Sequence, residues 1–122
     1  MSNAATAAEP GGHVVVLQVN GFVYDRFPVK VPRQFNARPG ARYTLQLEGE
    51  GRGRRKELAA ERVKDDLHVT HGDQLVVVLK RFFKLPVFDR AVLEIPYEYV
   101  ARIYSDGLST SEWTADFDFQ LH

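Results

Sequence analysis

Tyr97-Glu-Tyr-Val-Ala-Arg-Ile-Tyr104, Ser105-Asp-Gly-Leu-Ser-Thr-Ser-Glu112 and Trp113-Thr-Ala-Asp-Phe-Asp-Phe-Gln-Leu121 form the stretch that decides the fold. Its two outer pieces alternate apolar with polar residues, and the piece between them holds Asp106-Gly107. A period of two sets one face of a strand on a core and the other in water. Two such runs joined by a turn make an antiparallel hairpin. In the last run Trp113, Ala115, Phe117, Phe119 and Leu121 share one face, while Asp116 and Asp118 share the other.

Working back along the chain, residues 13–19 are rich in β-branched side chains and run into Asn20-Gly21 and then Phe22-Val-Tyr-Asp-Arg-Phe27. Asn-Gly accepts the positive φ angles of a tight hairpin turn, so a second hairpin is expected there. Its second strand is expected to continue through Val29 and Val31. Pro28 and Pro32 cannot donate to a ladder, which places this strand at an edge or on a bulge. Arg38-Pro-Gly-Ala41 reads as a turn, and Tyr43, Leu45 and Leu47 as the inward face of the next strand. Residues 49–55 are a loop by composition. Residues 56–67 read as a short helix or an irregular crossover, with Leu58, Ala59, Arg62, Val63, Asp66 and Leu67 on one side. A short strand is expected over 67–70, then a turn at His71-Gly72-Asp73. The apolar run Gln74-Leu-Val-Val-Val-Leu79 is expected to be a central strand that continues through Lys80-Arg-Phe-Phe-Lys84 with a phenylalanine inward. Leu85-Pro86 ends it, and residues 87–95 form another extended piece. The expectation is a single antiparallel all-β sandwich of about seven or eight strands, spanning residues 13–122 behind a flexible tail over 1–12.

A chain of 122 residues with 44% hydrophobic and 26% charged residues suits one domain with one core. It has no cysteine, so disulfides, thiolate metal sites and cysteine nucleophiles are excluded. No apolar run has the ~20 residues of a membrane-spanning helix. Residues 1–10 lack the basic region and apolar core of a signal peptide, and Ser2-Asn3-Ala4 resembles an expression-tag remnant; the sequence leaves the compartment open.

Formal net charge is zero, which disfavours a dedicated nucleic-acid binder. Charge is nevertheless uneven. Lys80, Arg81, Lys84 and Arg90 against Asp89 give a local +3, and Asp106, Glu112, Asp116 and Asp118 give −4. Such patches attract a partner or a second copy of the chain, although solvated strand faces carry the same pattern. The basic loop Arg52, Arg54 and Arg55 is offset by neighbouring glutamates.

The search for chemistry yields little. His68, His71 and Asp73 have metal-ligating side chains, but residues three apart on a strand face opposite ways, so they converge only where the chain turns sharply. Asp116 and Asp118 have the spacing for acid–base work or calcium binding, but acidic residues on the exposed face of a last strand are expected first of all to protect an edge. The glycines at 49, 51 and 53 lack the strand-loop-helix frame of a phosphate loop. No catalytic residue, cofactor or small-molecule substrate is assigned.

Tyr99-Val-Ala101-Arg-Ile103-Tyr-Ser105-Asp-Gly107, with Ser111-Glu-Trp113-Thr, resembles the last two strands and connecting loop of fibronectin type III domains. The resemblance implies a two-sheet sandwich that presents loops and sheet faces for binding. It also implies Trp113 stacked over Arg102, for which a bulge near Thr114 is needed because alternation sets the two on opposite faces. The early-strand tryptophan of that family is missing here.

The sequence therefore points to a non-catalytic protein-binding or assembly module, whose partner is another protein or the chain itself. The expected contact residues are Arg52, Arg54, Arg55, Lys80, Arg81, Lys84 and Asp106, in loops over 49–56 and 105–112 and the segment 80–84. One alternative is carbohydrate binding through Tyr97, Tyr104 and Trp113; another is a metal-dependent hydrolase using His68, His71 and Asp73.

Overall fold

The Asn20-Gly21 turn has φ angles of 54° and 90°, which sets β1 (His13–Val19) back against β2 (Phe22–Pro28) as the dipeptide requires. The Asn20 side chain then ties the turn to the next pairing: the Arg42 N–H donates to Asn20 Oδ1 at 2.9 Å, and the Asn20 N–H donates to the Arg42 carbonyl at 2.8 Å. The computed structural model describes residues 13–49, 58–96 and 99–113. The tail over 1–12, the basic loop of 52–55 and most of the acidic final run lie outside them.

The remaining described strands are β3 (Arg33–Asn36), β4 (Arg42–Gly49), β5 (Leu58–Val63), β6 (Asp66–His71), β7 (Gln74–Lys80), β8 (Val92–Pro96), β9 (Tyr99–Tyr104) and β10 (Ser109–Trp113). They form a six-stranded sheet in the order β10-β9-β8-β4-β1-β2 and a four-stranded sheet in the order β3-β7-β6-β5. The all-β sandwich is thus the architecture. Between the sheets lie Leu17, Leu45 and Leu93 from one side and Val69, Val77 and Leu79 from the other, with Phe27, Tyr43 and Phe82 filling the gaps. The alternation read in β4 holds, with Tyr43 and Leu45 buried.

Several local expectations are corrected. The described part of the expected helix or crossover, residues 58–67, instead belongs to the antiparallel hairpin β5–β6, closed at Lys64 and Asp65, whose second strand includes the one expected over 67–70. The chain between Leu58 and Val63 is rich in helix formers, yet pairing with β6 overrides that weak preference. β7 stops at Lys80. Arg81 takes a left-handed backbone (φ 64°), Phe82–Lys84 forms a 3-10 turn, and Phe82 goes inward with no exposure. Residues 87–89 make a second 3-10 turn, so only Val92–Pro96 of the expected extended piece is strand. β2 ends at Pro28 rather than running on through Val31, but it does lie at a sheet edge and it does carry a bulge, opposite Leu17 and Gln18. Ten strands are described, where about seven or eight are expected from the turn signals.

Two pairings also depart from a purely antiparallel sandwich: β3 runs parallel to β7, and β4 runs parallel to β8. The reason is one geometric device used twice. Residues 37–41 lead from β3 in the small sheet to β4 in the large one, and residues 81–91 lead from β7 to β8 in the same direction. The two crossovers lie side by side. The Ala37 N–H donates to the Lys80 carbonyl at 3.0 Å, the Gly40 N–H to the Asp89 carbonyl at 2.8 Å, and the Val92 N–H to the Ala41 carbonyl at 3.0 Å.

Candidate interaction site

The strand directions gather five connections at one end of the sandwich: residues 20–21, 37–41, 64–65, 81–91 and 105–108. The junctions at 29–32 and 72–73, together with Gly49 and Leu58, lie at the other end. The expected contact residues are therefore divided. Lys80, Arg81, Lys84 and Asp106 belong to the five-connection end, whereas the strand ends that flank the basic loop of Arg52, Arg54 and Arg55 belong to the far end.

Lys80, Arg81 and Lys84 meet Lys64 around a groove of about 410 Å³ that also contains Asp65 and Asp66. Its walls are two turns stapled together. The Arg81 N–H donates to Asp66 Oδ1 at 2.8 Å, the Phe83 N–H to the Asp65 carbonyl at 3.0 Å, and the Lys84 N–H to the Arg81 carbonyl at 3.0 Å. Arg62 lies 4.5 Å above the Phe83 ring, gives its Nε–H to the Lys64 carbonyl at 2.7 Å, and reaches Asp65 at 3.9 Å. Both aspartates are thus engaged locally. Among the described residues, Lys64, Lys80, Arg81 and Lys84 make no ion pair. The sequence reading missed Lys64, because a lysine with φ 57° in a two-residue turn carries no glycine signal.

Asp106 has a different environment. It accepts from the Leu108 N–H at 3.1 Å and pairs with Arg90 at 3.1 Å. The Leu108 amide, and then Arg90, hold its carboxyl below the usual aspartate value. Arg90 also lies 4.2 Å over the Tyr104 ring, covering one face of a residue proposed as a sugar platform. Nearby, Ser105 is 4% exposed: its Oγ accepts from the Ala91 N–H at 2.8 Å and its N–H donates to the Ala91 carbonyl at 2.9 Å. The expected contact loop of 105–112 is consequently short, since Ser109–Trp113 is strand. The same end exposes Val87, Phe88 and Leu108, with Phe88 at 90%.

Of the remaining expected sugar contacts, Tyr97 lies outside the described residues. Trp113 pairs in register with Tyr99, and Thr110 rather than Trp113 lies opposite Arg102, which binds Glu94 at 3.0 Å. A different group of aromatics borders a cleft. At the open side where β2 faces β3, a cavity of about 420 Å³ is lined by Tyr24, Phe35 and Tyr43 together with Gln34, Asn36 and Arg38. Tyr24 meets Phe35 edge to face at 5.7 Å and Arg38 lies 5.6 Å from its ring. Tyr43 is 2% exposed; its hydroxyl accepts from the Arg38 N–H at 2.8 Å, and burial raises its pKa above the usual 10.0 despite that bond.

The metal reading gains no support from geometry. His68 and His71 lie three residues apart on β6, opposite Glu61 and Leu58, and Asp73 lies in the following turn. Among the described residues no three histidine, aspartate or glutamate side chains gather to hold an ion. No described helix is long and apolar enough to cross a membrane. Comparison of the chain with protein-family models, curated proteins and solved structures finds no match, so the fibronectin type III resemblance rests on its own residues.

Proposed function

We propose that this chain is a non-catalytic interaction module that meets another protein, or a second copy of itself, through the five-connection end of the sandwich. The observation that carries the reading is the convergence there of exposed apolar side chains, Val87, Phe88 and Leu108, with four cations that make no ion pair among the described residues. Connections held on a rigid two-sheet frame can vary and make contact without disturbing the core. The stapled crossovers and the Ser105–Ala91 clamp hold these connections in a fixed arrangement before any partner arrives, which lowers the ordering cost of binding.

Photo-crosslinking tests this directly. A photoreactive phenylalanine analogue at position 88 is expected to give defined adducts, and the same group at position 31, at the far end, to give few. Equal labelling from both ends, or none from position 88, overturns the reading. Size-exclusion chromatography with light scattering at low and high salt then separates the two kinds of partner. A salt-sensitive dimer identifies a second copy, and a monomer at both salts identifies another protein.

A second reading is carried by the β2–β3 cleft. Its aromatic lining and its amide and guanidinium groups suit a sugar, which needs apolar ring contact together with hydrogen-bond partners. Glycan binding that disappears in Tyr24→Ala supports it, and a glycan panel silent towards the intact protein removes it.

A further inference from the structure

We infer that the groove between the β5–β6 turn and the Phe82–Lys84 turn is a docking site for an acidic protein segment, one that presents carboxylates along an extended chain. This rests on the interaction-module reading and names the partner chemistry of one part of that surface.

Charge is the first observation. Four cations line the groove against two carboxylates, a formal +2, and Arg62 adds a fifth cation 3.9 Å from Asp65 at its margin. The lining therefore keeps a positive excess on a chain whose formal net charge is zero. A local excess on a neutral molecule gives short-range complementarity, not a far-reaching attraction for any polyanion.

Backbone conformation is the second. Among the described residues only three non-glycine positions have positive φ: Asn20, Lys64 and Arg81. Asn20 serves a hairpin turn that asparagine suits. Lys64 and Arg81 are long, cationic and ill suited to that region, where an L-residue costs about 1–2 kcal/mol relative to glycine. Both line this groove. Two such positions filled by cations at one place point to a use for the cations there.

The third observation separates an acidic protein from a nucleic acid. Single strands bind basic grooves whose aromatic rings stack on the bases. Here Phe82 is wholly buried, and Phe83 stands edge to face with it at 5.0 Å while its ring carries Arg62. The groove offers cations without an open ring, which suits carboxylates.

The test is fluorescence anisotropy on the full chain with a labelled peptide of alternating glutamate and serine, beside a single-stranded RNA of equal charge. The expected result is saturable peptide binding that weakens with added salt, exceeds RNA binding at the same salt, and falls by about tenfold in Lys84→Glu. Lys64→Asn provides a second variant, since asparagine tolerates the left-handed backbone, and it should weaken binding in the same direction. Arg42→Gln, a cation at the same end but outside the groove, should leave peptide affinity unchanged. Unaltered affinity in Lys84→Glu and Lys64→Asn, with melting temperatures maintained, overturns the proposal, as does tighter binding of the RNA. If crosslinks from position 88 persist while the peptide fails to bind, the groove assignment falls and the interaction module stands. If those crosslinks are absent as well, both fall.

Discussion

Ser105 shows how much one small polar residue can hold. Its hydroxyl and amide close a reciprocal pair with Ala91, joining the β9–β10 turn to the end of the second crossover. Ser105→Ala leaves the buried Ala91 N–H without its acceptor, so a loss of about 1–3 kcal/mol is expected in denaturant unfolding. Tyr43 makes a prediction about pH. Burial raises its folded pKa above the unfolded value near 10.0, so the neutral phenol is the form the fold favours. Its contribution is complete below about pH 10 and is lost as pH rises through the folded pKa. Wild type should therefore lose stability relative to Tyr43→Phe in alkaline unfolding series; parallel curves for the two proteins would refute the assignment. These residues were unequally legible. Tyr43 is visible in the sequence as an inward position of an alternating strand, but its bond to Arg38 depends on a turn whose path no local pattern specifies. Ser105 reads only as a loop residue, because its partner comes from a distant crossover.

At the scale of elements, the two cationic turns have a measurable stability cost. Arg81→Gly removes the left-handed penalty of about 1–2 kcal/mol, while glycine's extra freedom in the unfolded chain returns about 0.4–1 kcal/mol. The variant should thus be unchanged to about 1.6 kcal/mol more stable, and should bind the acidic peptide less well. A clear destabilisation would show that the arginine side chain supports the turn. The elements that could be read from sequence share one property: their signal is local. The Asn20-Gly21 hairpin, the alternation of β4 and the apolar run of β7 each contain their own evidence. β5 does not. Only Leu58 is buried along it, Ala60 and Val63 are partly so, and Ala59, Glu61 and Arg62 are exposed. As an edge strand it has one thin apolar face, its turn lacks glycine, and its composition favours helix. β3, four residues between a proline-bordered turn and the first crossover, is specified mainly by its pairing with β7. The candidate site was legible in part for the same reason: Lys80, Arg81 and Lys84 adjoin in sequence, but Lys64 joins them only through the fold.

For the whole molecule, position in the sheets should decide local stability. Among the described strands, β1, β4, β6, β7, β8 and β9 have partners on both sides, whereas β2, β3, β5 and β10 each end a sheet. Amide hydrogen exchange should be slowest in the first group and fastest in the second; uniform protection would contradict this layout. The paired crossovers carry a further consequence, for the order in which the chain can assemble. β1–β2, β5–β6–β7 and β8–β9–β10 are each sequential antiparallel units that can close soon after their residues are made. The parallel seams cannot, because Arg33 awaits Val77 and Arg42 awaits Val92. Loop-closure entropy makes such distant pairings slow. A nascent chain that has not yet reached β8 carries β4 with β1 as its only sheet partner and its other edge open, so the interval before residue 92 emerges is when this sandwich is most exposed to pairing with the wrong strand.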